Sequence, residues 1–541
     1  MHKDESVSQE CAMSNETNPE IISVKGGFFH HYPSLIYCGL MCLGGFQLGL
    51  DLGSIAGMQA MPGFLQVFGF PDKTSPLGFG INPAVQQLIN SLMSLGAFLS
   101  CLSAGPLGKY VSRKWSLLLA VVLNHLGVIL MMAAENTGTL YAGRLIVGLA
   151  NGLLDVIPQL YIHESAPAPQ RGSLLGCFNV CVGVGLLVGS IVDNSTTKLI
   201  SKDAYIIPLG LFFIVPTIMV VGLPFMPETP RWLVEHNKTD KARKSLARLR
   251  NKGTSPELVE AELSEIITAY ETEKAMVQGV ALVSLFKKTN LRRTLISFAL
   301  LVSLGGAGSL FFLIFGTYFF AIAGQTHAFE ESVGMTAAGL GATLISMWLI
   351  TRIGRRTILL LGFAMQAICM LIIATVYQYK STSSAGGKAM VTFVIVFTFF
   401  YNMCVAPYLY LSAGEIPTQR LRGYTLGIAI GIGFFFNWLC SYTAPYFLNP
   451  LELNWGGKYG YIWFGSNVVI FIFIFFCVPE TKDRTLEEID EMFEAKLPAR
   501  KFKGYVCINA NNARLNGMHH AQELEHKAAA GSATLHVESA V

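Results

Sequence analysis

Twelve apolar runs of roughly twenty residues recur along this chain, each long enough as a helix to cross a hydrocarbon core about 30 Å thick. They fall near 35–57, 85–107, 115–134, 140–162, 173–193, 205–226, 294–322, 332–351, 357–377, 388–412, 424–446 and 459–478. In lipid every backbone polar group needs an internal partner, and a helix supplies it within one segment. The pattern therefore predicts an all-α membrane protein with twelve transmembrane helices. Only 14% of the 541 residues are charged, against about 25% in a soluble domain. The 53 glycines suit close helix packing in a membrane. A dispersed net charge of +4 does not fit a nucleic-acid binder. Of eleven cysteines, Cys38, Cys42, Cys101, Cys177, Cys181, Cys369, Cys404, Cys440 and Cys477 lie inside apolar runs and read as small buried hydrophobes. No cysteine–histidine cluster has zinc spacing, and His519-His520 alone makes no site, so neither metal nor cofactor is expected.

The runs divide six and six around a polar stretch that mixes Lys241, Arg243, Lys244, Arg248 and Arg250 with Glu257, Glu260, Glu262 and Glu265. The expected organisation is a tail over 1–34, a six-helix bundle over 35–231, a linker of short amphipathic helices over 232–293, a second bundle over 294–480 and a tail over 481–541. Residues 1–24 lack the basic start and apolar core of a cleavable signal peptide, and the last segment, polar after Lys503, reads as disordered. Alternate loops hold Arg113 with Lys114, Arg171, the linker, Arg352 with Arg355 and Arg356, Arg420 with Arg422, and Lys482 with Arg484. The loops between them carry Glu135, Asp193, Glu330 and Glu331. The positive-inside rule puts the basic loops and both termini in the cytosol, with the plasma membrane as the expected location. The sequon at Asn194 then falls in an outside loop open to glycosylation, and those at Asn15 and Asn237 fall inside.

The sequence also repeats itself. Glu164, followed seven residues on by Arg171-Gly172, recurs as Glu415 followed by Arg422-Gly423, an offset of 251. Pro227-Glu228-Thr229 recurs as Pro479-Glu480-Thr481, and Arg113-Lys114 as Arg355-Arg356. Three paired motifs in one order imply two six-helix pseudo-repeats with a site between them, an architecture suited to a transporter.

These motifs resemble those of the sugar porter family of the major facilitator superfamily over about 35–505. The matching residues are Gly143-Arg144, Tyr161-x-x-Glu164 with Arg171-Gly172, Pro227-Glu-Thr-Pro-Arg231-Trp-Leu, Gly354-Arg355-Arg356, Glu415 with Arg422, and Pro479-Glu-Thr-Lys482-x-Arg484-Thr-x-Glu-Glu-Ile-Asp490. Asn449-Pro450, Asn454-Trp455-Gly456 and Ala499-Arg-Lys-Phe-Lys503 further resemble fungal disaccharide permeases of the maltose type. The resemblance implies the major facilitator fold and alternating-access transport. There are departures. Lys109 and Tyr110 stand where the family's first cytosolic motif has Asp-Arg, and Ser112 replaces its second Gly. The seventh helix reads Leu304-Gly-Gly-Ala-Gly-Ser-Leu310 where many members carry two Gln and an Asn for sugar hydroxyls. Asn179 replaces the fifth-helix Gln, Tyr410 the tenth-helix Trp, and Asp483 a Gly of the last motif.

Asp51 is a carboxylate within the first run, where insertion scales put the cost at about 2.5–3.5 kcal/mol unless it faces a partner or cavity. If that helix enters near Ser34, Asp51 lies about 25 Å along it, at a depth similar to Arg144 of the fourth helix. An Asp51–Arg144 pair is expected. By the family resemblance an acid there implies proton coupling; a structural ion pair is the alternative. Arg144, Asn151, Asp155 and Gln159 share one stripe of the fourth helix. Asp155 is placed with the proton-coupling residues or with the substrate; a helix–helix contact is the alternative. Substrate candidates are Asn179, Tyr318, Asn402, Tyr410, Asn437 and Gln159, with Tyr408 and Trp438 as added surface. They would supply hydroxyl-directed hydrogen bonds and an aromatic wall. Arg113, Lys114, Glu164, Arg171, Glu228 and Arg231, with Arg352, Arg355, Arg356, Glu415, Arg422, Glu480 and Arg484, read as the inside gate of an outward-facing state. The paired Glu at fixed spacing argue against topology signals alone.

The expected function is sugar transport, of a hexose or disaccharide, by proton symport. The expected partners are the sugar, the proton and the bilayer, with no nucleic acid, and the chain is expected to work as a monomer. Facilitated diffusion, a polyol or sugar-acid-like solute, and a non-transporting nutrient sensor are the alternatives. No nucleophile–base constellation supports an enzyme.

Overall fold

A computed structural model describes residues 32–73, 78–251, 254–277, 282–380, 383–505 and 507. The tail residues 1–31 and 508–541, with Asn15 and His519-His520, lie outside the described residues. Twelve helices among the described residues are long and apolar enough to cross a membrane. The first six spans are Tyr32–Met58, Pro83–Ala104, Arg113–Met132, Thr137–Ser165, Gln170–Thr196 and Asp203–Phe225. The second six are Asn290–Ile322, Ala328–Leu349, Arg355–Tyr379, Ala385–Glu415, Gln419–Leu448 and Gly456–Cys477. Each coincides with one apolar run of the sequence.

Close packing in the first half rests on a glycine ladder. Gly45, Gly49, Gly53 and Gly57 recur every four residues on one face of the first span. A Cβ at Gly45, Gly49 or Gly53 would lie 2.7, 2.0 or 2.5 Å from a backbone carbonyl of the fifth span. Only backbone fits there, so two helices meet without side chains between them. The second half is bent instead. Its seventh span breaks at Ala307–Gly308, where Gly308 takes φ +79° and the Trp463 ring occupies the space a side chain would need. The tenth span widens into a π turn over Tyr401–Val405, just ahead of Pro407.

Between spans one and two, the short helix Pro62–Phe68 and a two-residue hairpin, Phe70–Pro71 against Phe79–Gly80, cover the face opposite the basic loops. Met61, Phe64, Leu65 and Phe68 are buried there with Leu50, Ile55 and Met58, and Tyr318 of the seventh span joins the same core. Two side-chain hydrogen bonds join the halves: Asn449 donates to the Ile81 carbonyl at 2.9 Å, and the Ser190 and Thr336 hydroxyls meet at 2.8 Å. Among the described residues, no ion pair crosses from one half to the other.

At the basic face the linker folds as Pro230–Glu235, Thr239–Leu249 and Pro256–Val277 around Trp232, Leu233, Leu246, Val259 and Leu263. Arg250 ties it to the membrane helices, donating to Ser34 Oγ and to the Ser165 carbonyl at 3.1 Å each. After the twelfth span, Leu486–Glu494 starts with a capping box of Thr485 and Glu488. It docks on the start of the seventh span: Arg293 donates to the Asp490 carbonyl at 2.8 Å and stacks on Phe493, and Arg292 donates to Leu497 O at 2.8 Å.

Several loop assignments are corrected. Glu330 and Glu331 lie in the first turn of the helix Ala328–Leu349. Asp193 and the sequon Asn194-Ser195-Thr196 are not in a loop; the fifth span's helix continues to Thr196, with the Ser195 and Thr196 hydroxyls bonded back to Ile191 and Val192. Asn194 is half-buried in that last turn, and Asp193 is buried. Polar residues at the end of an apolar run look like a loop in sequence, but here the neighbouring first span packs against them.

Candidate transport site

Asp51 lies seven residues before the end of the first span, about 10 Å from it along the axis. Its Oδ1 accepts from Arg144 Nη1 at 2.8 Å and its Oδ2 from Asn151 Nδ2 at 2.8 Å. Arg144 Nε donates to the Ile89 carbonyl of the second span at 3.0 Å. Asp51, Arg144 and Asn151 are all fully buried. Three spans thus satisfy one ion pair in a buried site, where its Coulomb attraction and its desolvation cost are both large. The pair was legible from depth; the Ile89 carbonyl carries no sequence signal.

The rest of the polar stripe has a different environment. Asp155 and Gln159 are half-buried, and Gln159 Nε2 donates to Asp155 Oδ1 at 3.0 Å. Cys101 of the second span and Tyr410 of the tenth lie within electrostatic reach of Asp155. Tyr410 is 43% exposed. Among the other substrate candidates, Asn437 turns its Oδ1 toward Gly305 beside the seventh-span break. Asn402 sits in the π turn and donates to Thr398 O at 3.0 Å. Asn179 is exposed and bonds back to Leu175 O. Trp438 stacks on Tyr442. Tyr318 and Tyr408 are buried in hydrophobic cores, so neither lines an open surface in this conformation.

The charged residues of the basic face form two matching clamps. In the first half, Arg113 donates through Nη2 to Glu164 Oε1 at 2.8 Å and through Nε to Oε2 at 3.2 Å. Glu228 accepts the backbone N–H groups of Arg113 and Lys114 at the start of the third span, at 3.2 and 3.4 Å. Thr229 Oγ1 donates to Glu164 at 2.6 Å. In the second half, Arg355 Nη2 donates to Glu415 at 3.2 Å, Glu480 accepts the Arg355 N–H at 2.8 Å, and Thr481 Oγ1 donates to Glu415 at 2.5 Å. A carboxylate on the free amides of a helix N-terminus is favoured by both hydrogen bonding and the helix dipole. That is why a Pro-Glu-Thr turn follows each bundle. Thr229 and Thr481 were within the recognised repeat, but their bonding was not anticipated.

The remaining gate candidates do not join these clamps. Arg231 pairs with Glu273 of the linker. Arg352 lies over Trp348 and offers its carbonyl to Lys482. Arg356 donates to Phe475 O, and Arg484 to Tyr505 O. Arg171 keeps a buried Nε without a partner among the described residues, and the Arg422 guanidinium lies near Gly414. All of these contacts stay within one half or its own appendage.

A twelve-span bundle in two like halves, closed on one face and carrying a buried charge pair toward that face, has the architecture of a membrane transporter. The chain belongs to the sugar transporter family of the major facilitator superfamily, a family of transporters and not of enzymes: the family described as "Sugar (and other) transporter" matches residues 37–493. It is 30% identical over 477 residues to the major facilitator-type transporter ecdD of Aspergillus rugulosus, covering 85% of this chain and 87% of that one. It is 32% identical over 474 residues to the probable glucose transporter rco-3 of Neurospora crassa, covering 85% and 79%. The fold matches the xylose transporter XylE of E. coli, solved with 6-bromo-6-deoxy-D-glucose, at TM-score 0.66, 19% identity and coverage of 86% and 100%.

Proposed function

We propose that this protein carries a sugar, a hexose or disaccharide, across the plasma membrane by alternating access, with its basic face and both termini in the cytosol, and that the proton gradient drives it through Asp51. The observation that carries the coupling is the buried Asp51–Arg144–Asn151 cluster. A proton on Asp51 removes its charge and weakens its hold on Arg144, so occupancy of this one site biases how the first, second and fourth spans pack. Any solute or ion shifts a two-state equilibrium only by its differential affinity for the two states, so the coupling requires this pair to be looser in one state than in the other. Asp155, Gln159, Tyr410 and Asn437 would meet the sugar where the halves face one another. Asp155 would also join the coupling site.

The two clamps are proposed as the cytosolic gate. In the conformation described, each is closed on itself while the opposite face is sealed by Tyr318, Asn449 and the Pro62–Phe68 helix. Their meeting belongs to the outward-open state. A polyol or sugar acid remains the second reading of the substrate, because the seventh span lacks the amides of many sugar porters and presents Gly305 and Gly308 instead. The relative named as a probable glucose transporter favours a sugar.

The test is uptake of labelled glucose, maltose, lactose, xylose, a polyol and quinate in transporter-deficient yeast, at acid and at neutral external pH. Accumulation of one solute, raised by acid and abolished by an uncoupler, is the expected result. Replacing Asp51 by Asn should remove that accumulation. Downhill uptake without pH dependence would leave the transporter and dismiss the coupling.

A further inference from the structure

A second carboxylate is buried in the first half without a counter-ion. Asp193, near the outer end of the fifth span, is 1% exposed, and neither of its oxygens has a hydrogen-bond partner among the described residues. It rests against Gly57 of the first span, the last rung of the glycine ladder; a Cβ there would lie 2.2 Å from Asp193 Oδ2. An isolated buried carboxylate is costly unless neutralised or paired. The fold has made room for this one, not replaced it.

Asp193 lies outward of Asp51 along the first span, against Gly57. On the first span, Asp51, Ser54 and Gly57 follow at three-residue steps, about 4.5 Å each along the axis. Ser54 is fully buried, its Oγ has no partner among the described residues, and it faces the fifth span at Gly189, one turn before Asp193. Two unsatisfied polar side chains thus stand between the outer end of the bundle and the coupling site, in an otherwise apolar contact.

The charged and titratable groups on the elements packed around this end do not neutralise it. The first span offers only Asp51, engaged with Arg144. The fourth offers Arg144, so engaged, and Tyr141. The sixth begins with Asp203, held by Ser201, and Tyr205, packed on Phe64. The connection before it carries Lys198 and Lys202, and the eighth span's outer end carries His327, Glu330 and Glu331.

Resting on the proton-coupled reading above, we infer that Asp193 is an outward-side proton-binding carboxyl that supplies Asp51 past the Ser54 hydroxyl. Ser54 Oγ bonds to neither carboxyl in this conformation, so the transfer belongs to a state in which the first and fifth spans have shifted: the Asp193 O–H bond then breaks as Ser54 Oγ takes the proton, and Ser54 gives up its own hydroxyl proton to the Asp51 carboxylate. Asp193 is left as a carboxylate, reloaded from the outer medium when that face opens.

The experiment is the external-pH profile of uptake in whole cells for the wild type, D193N and S54A, at matched surface expression, with solute counterflow at neutral pH measured alongside. The expected result for D193N is loss of acid stimulation with counterflow retained, and for S54A a weaker change in the same direction. If D193N does not reach the surface, the S54A profile decides. A wild-type profile in the variants, or a uniform loss at every pH together with counterflow, overturns the inference and leaves coupling through Asp51 intact. A wild type with no acid stimulation fails the coupling reading itself and this inference with it.

Discussion

Follow the fourth and tenth spans upward from the basic face and the two halves begin alike, then part. At the bottom, Glu164 and Glu415 hold Arg113 and Arg355 and accept from Thr229 and Thr481, with two guanidinium nitrogens engaged in the first pair and one in the second. Twenty residues earlier in sequence, about 30 Å up the helix, the shared offset of 251 pairs Arg144 with Ile395. It pairs Asn151 with Asn402, Asp155 with Ala406, and Gln159 with Tyr410. Only the amide at Asn151 and Asn402 is common, and the second copy sits in a π turn where the first sits in regular helix. The duplicated clamp serves a motion both halves share. The centre has been divided: charge in the first half, and an aromatic and amide surface on a bent scaffold in the second.

The sharpest way to break the comparison is at the charge. R144M leaves Asp51 buried and unpaired, a loss of about 3–5 kcal/mol for broken buried pairs; thermal unfolding in detergent should show it, with uptake abolished. The double variant D51L/R144M removes both charges and should regain most of the stability without regaining accumulation. The matching change in the second half, I395M, swaps one apolar side chain for another and should cost less than about 1.5 kcal/mol.

The clamps should respond alike, but unequally. E164Q and E415Q each weaken a charge-assisted bond, of order 1.5–3 kcal/mol. The first pair is 7% and 4% exposed against 17% and 16% for the second, so E164Q should slow uptake more. Equal effects would mean that burial does not set the clamp's strength. A smaller change is expected at the cross-half contact: N449A deletes one buried hydrogen bond, about 1 kcal/mol. It should raise labelling of a cysteine placed near Ile81 by several-fold. Smallest of all is the exposed linker pair. Hydrogen bonding to Arg243 holds the Glu260 carboxyl below its ordinary range, so what little it adds is present at neutral pH and lost as pH falls through that range. R243A should leave uptake unchanged and alter thermal stability only slightly, less at acid pH than at neutral.

The spans were legible because hydropathy over twenty residues leaves little choice in lipid, and the clamps because their motifs occur twice. The Asp51–Arg144 pair could be read from depth alone, since two opposite charges at one level in a membrane rarely ignore each other. The sequence was silent where a partner is backbone or shape: the Ile89 carbonyl, the Ile81 carbonyl under Asn449, and the space at Gly57. It misled at the ends of helices. Asp193 looked like solvent-facing loop, and Tyr318 like a substrate contact; both lie where neighbouring spans bury them. Gly45, Gly49, Gly53 and Gly57 were in plain view, and their period of four could have announced the tight first–fifth contact.

Each half also ends in the same way. Its sixth helix gives a Pro-Glu-Thr turn, and an amphipathic helix folds back onto the basic face, one gripped by Arg250 and one by Arg293. The two appendages are in effect handles outside the membrane, each tied by hydrogen bonds to its own bundle, and Pro256–Val277 also touches Gln419–Leu421 of the second half. A pair of fluorophores, one on the linker helices and one on Leu486–Glu494, would report the distance between the halves without a label in any membrane span. A chain cut before Thr485 would lose one handle while keeping all twelve helices.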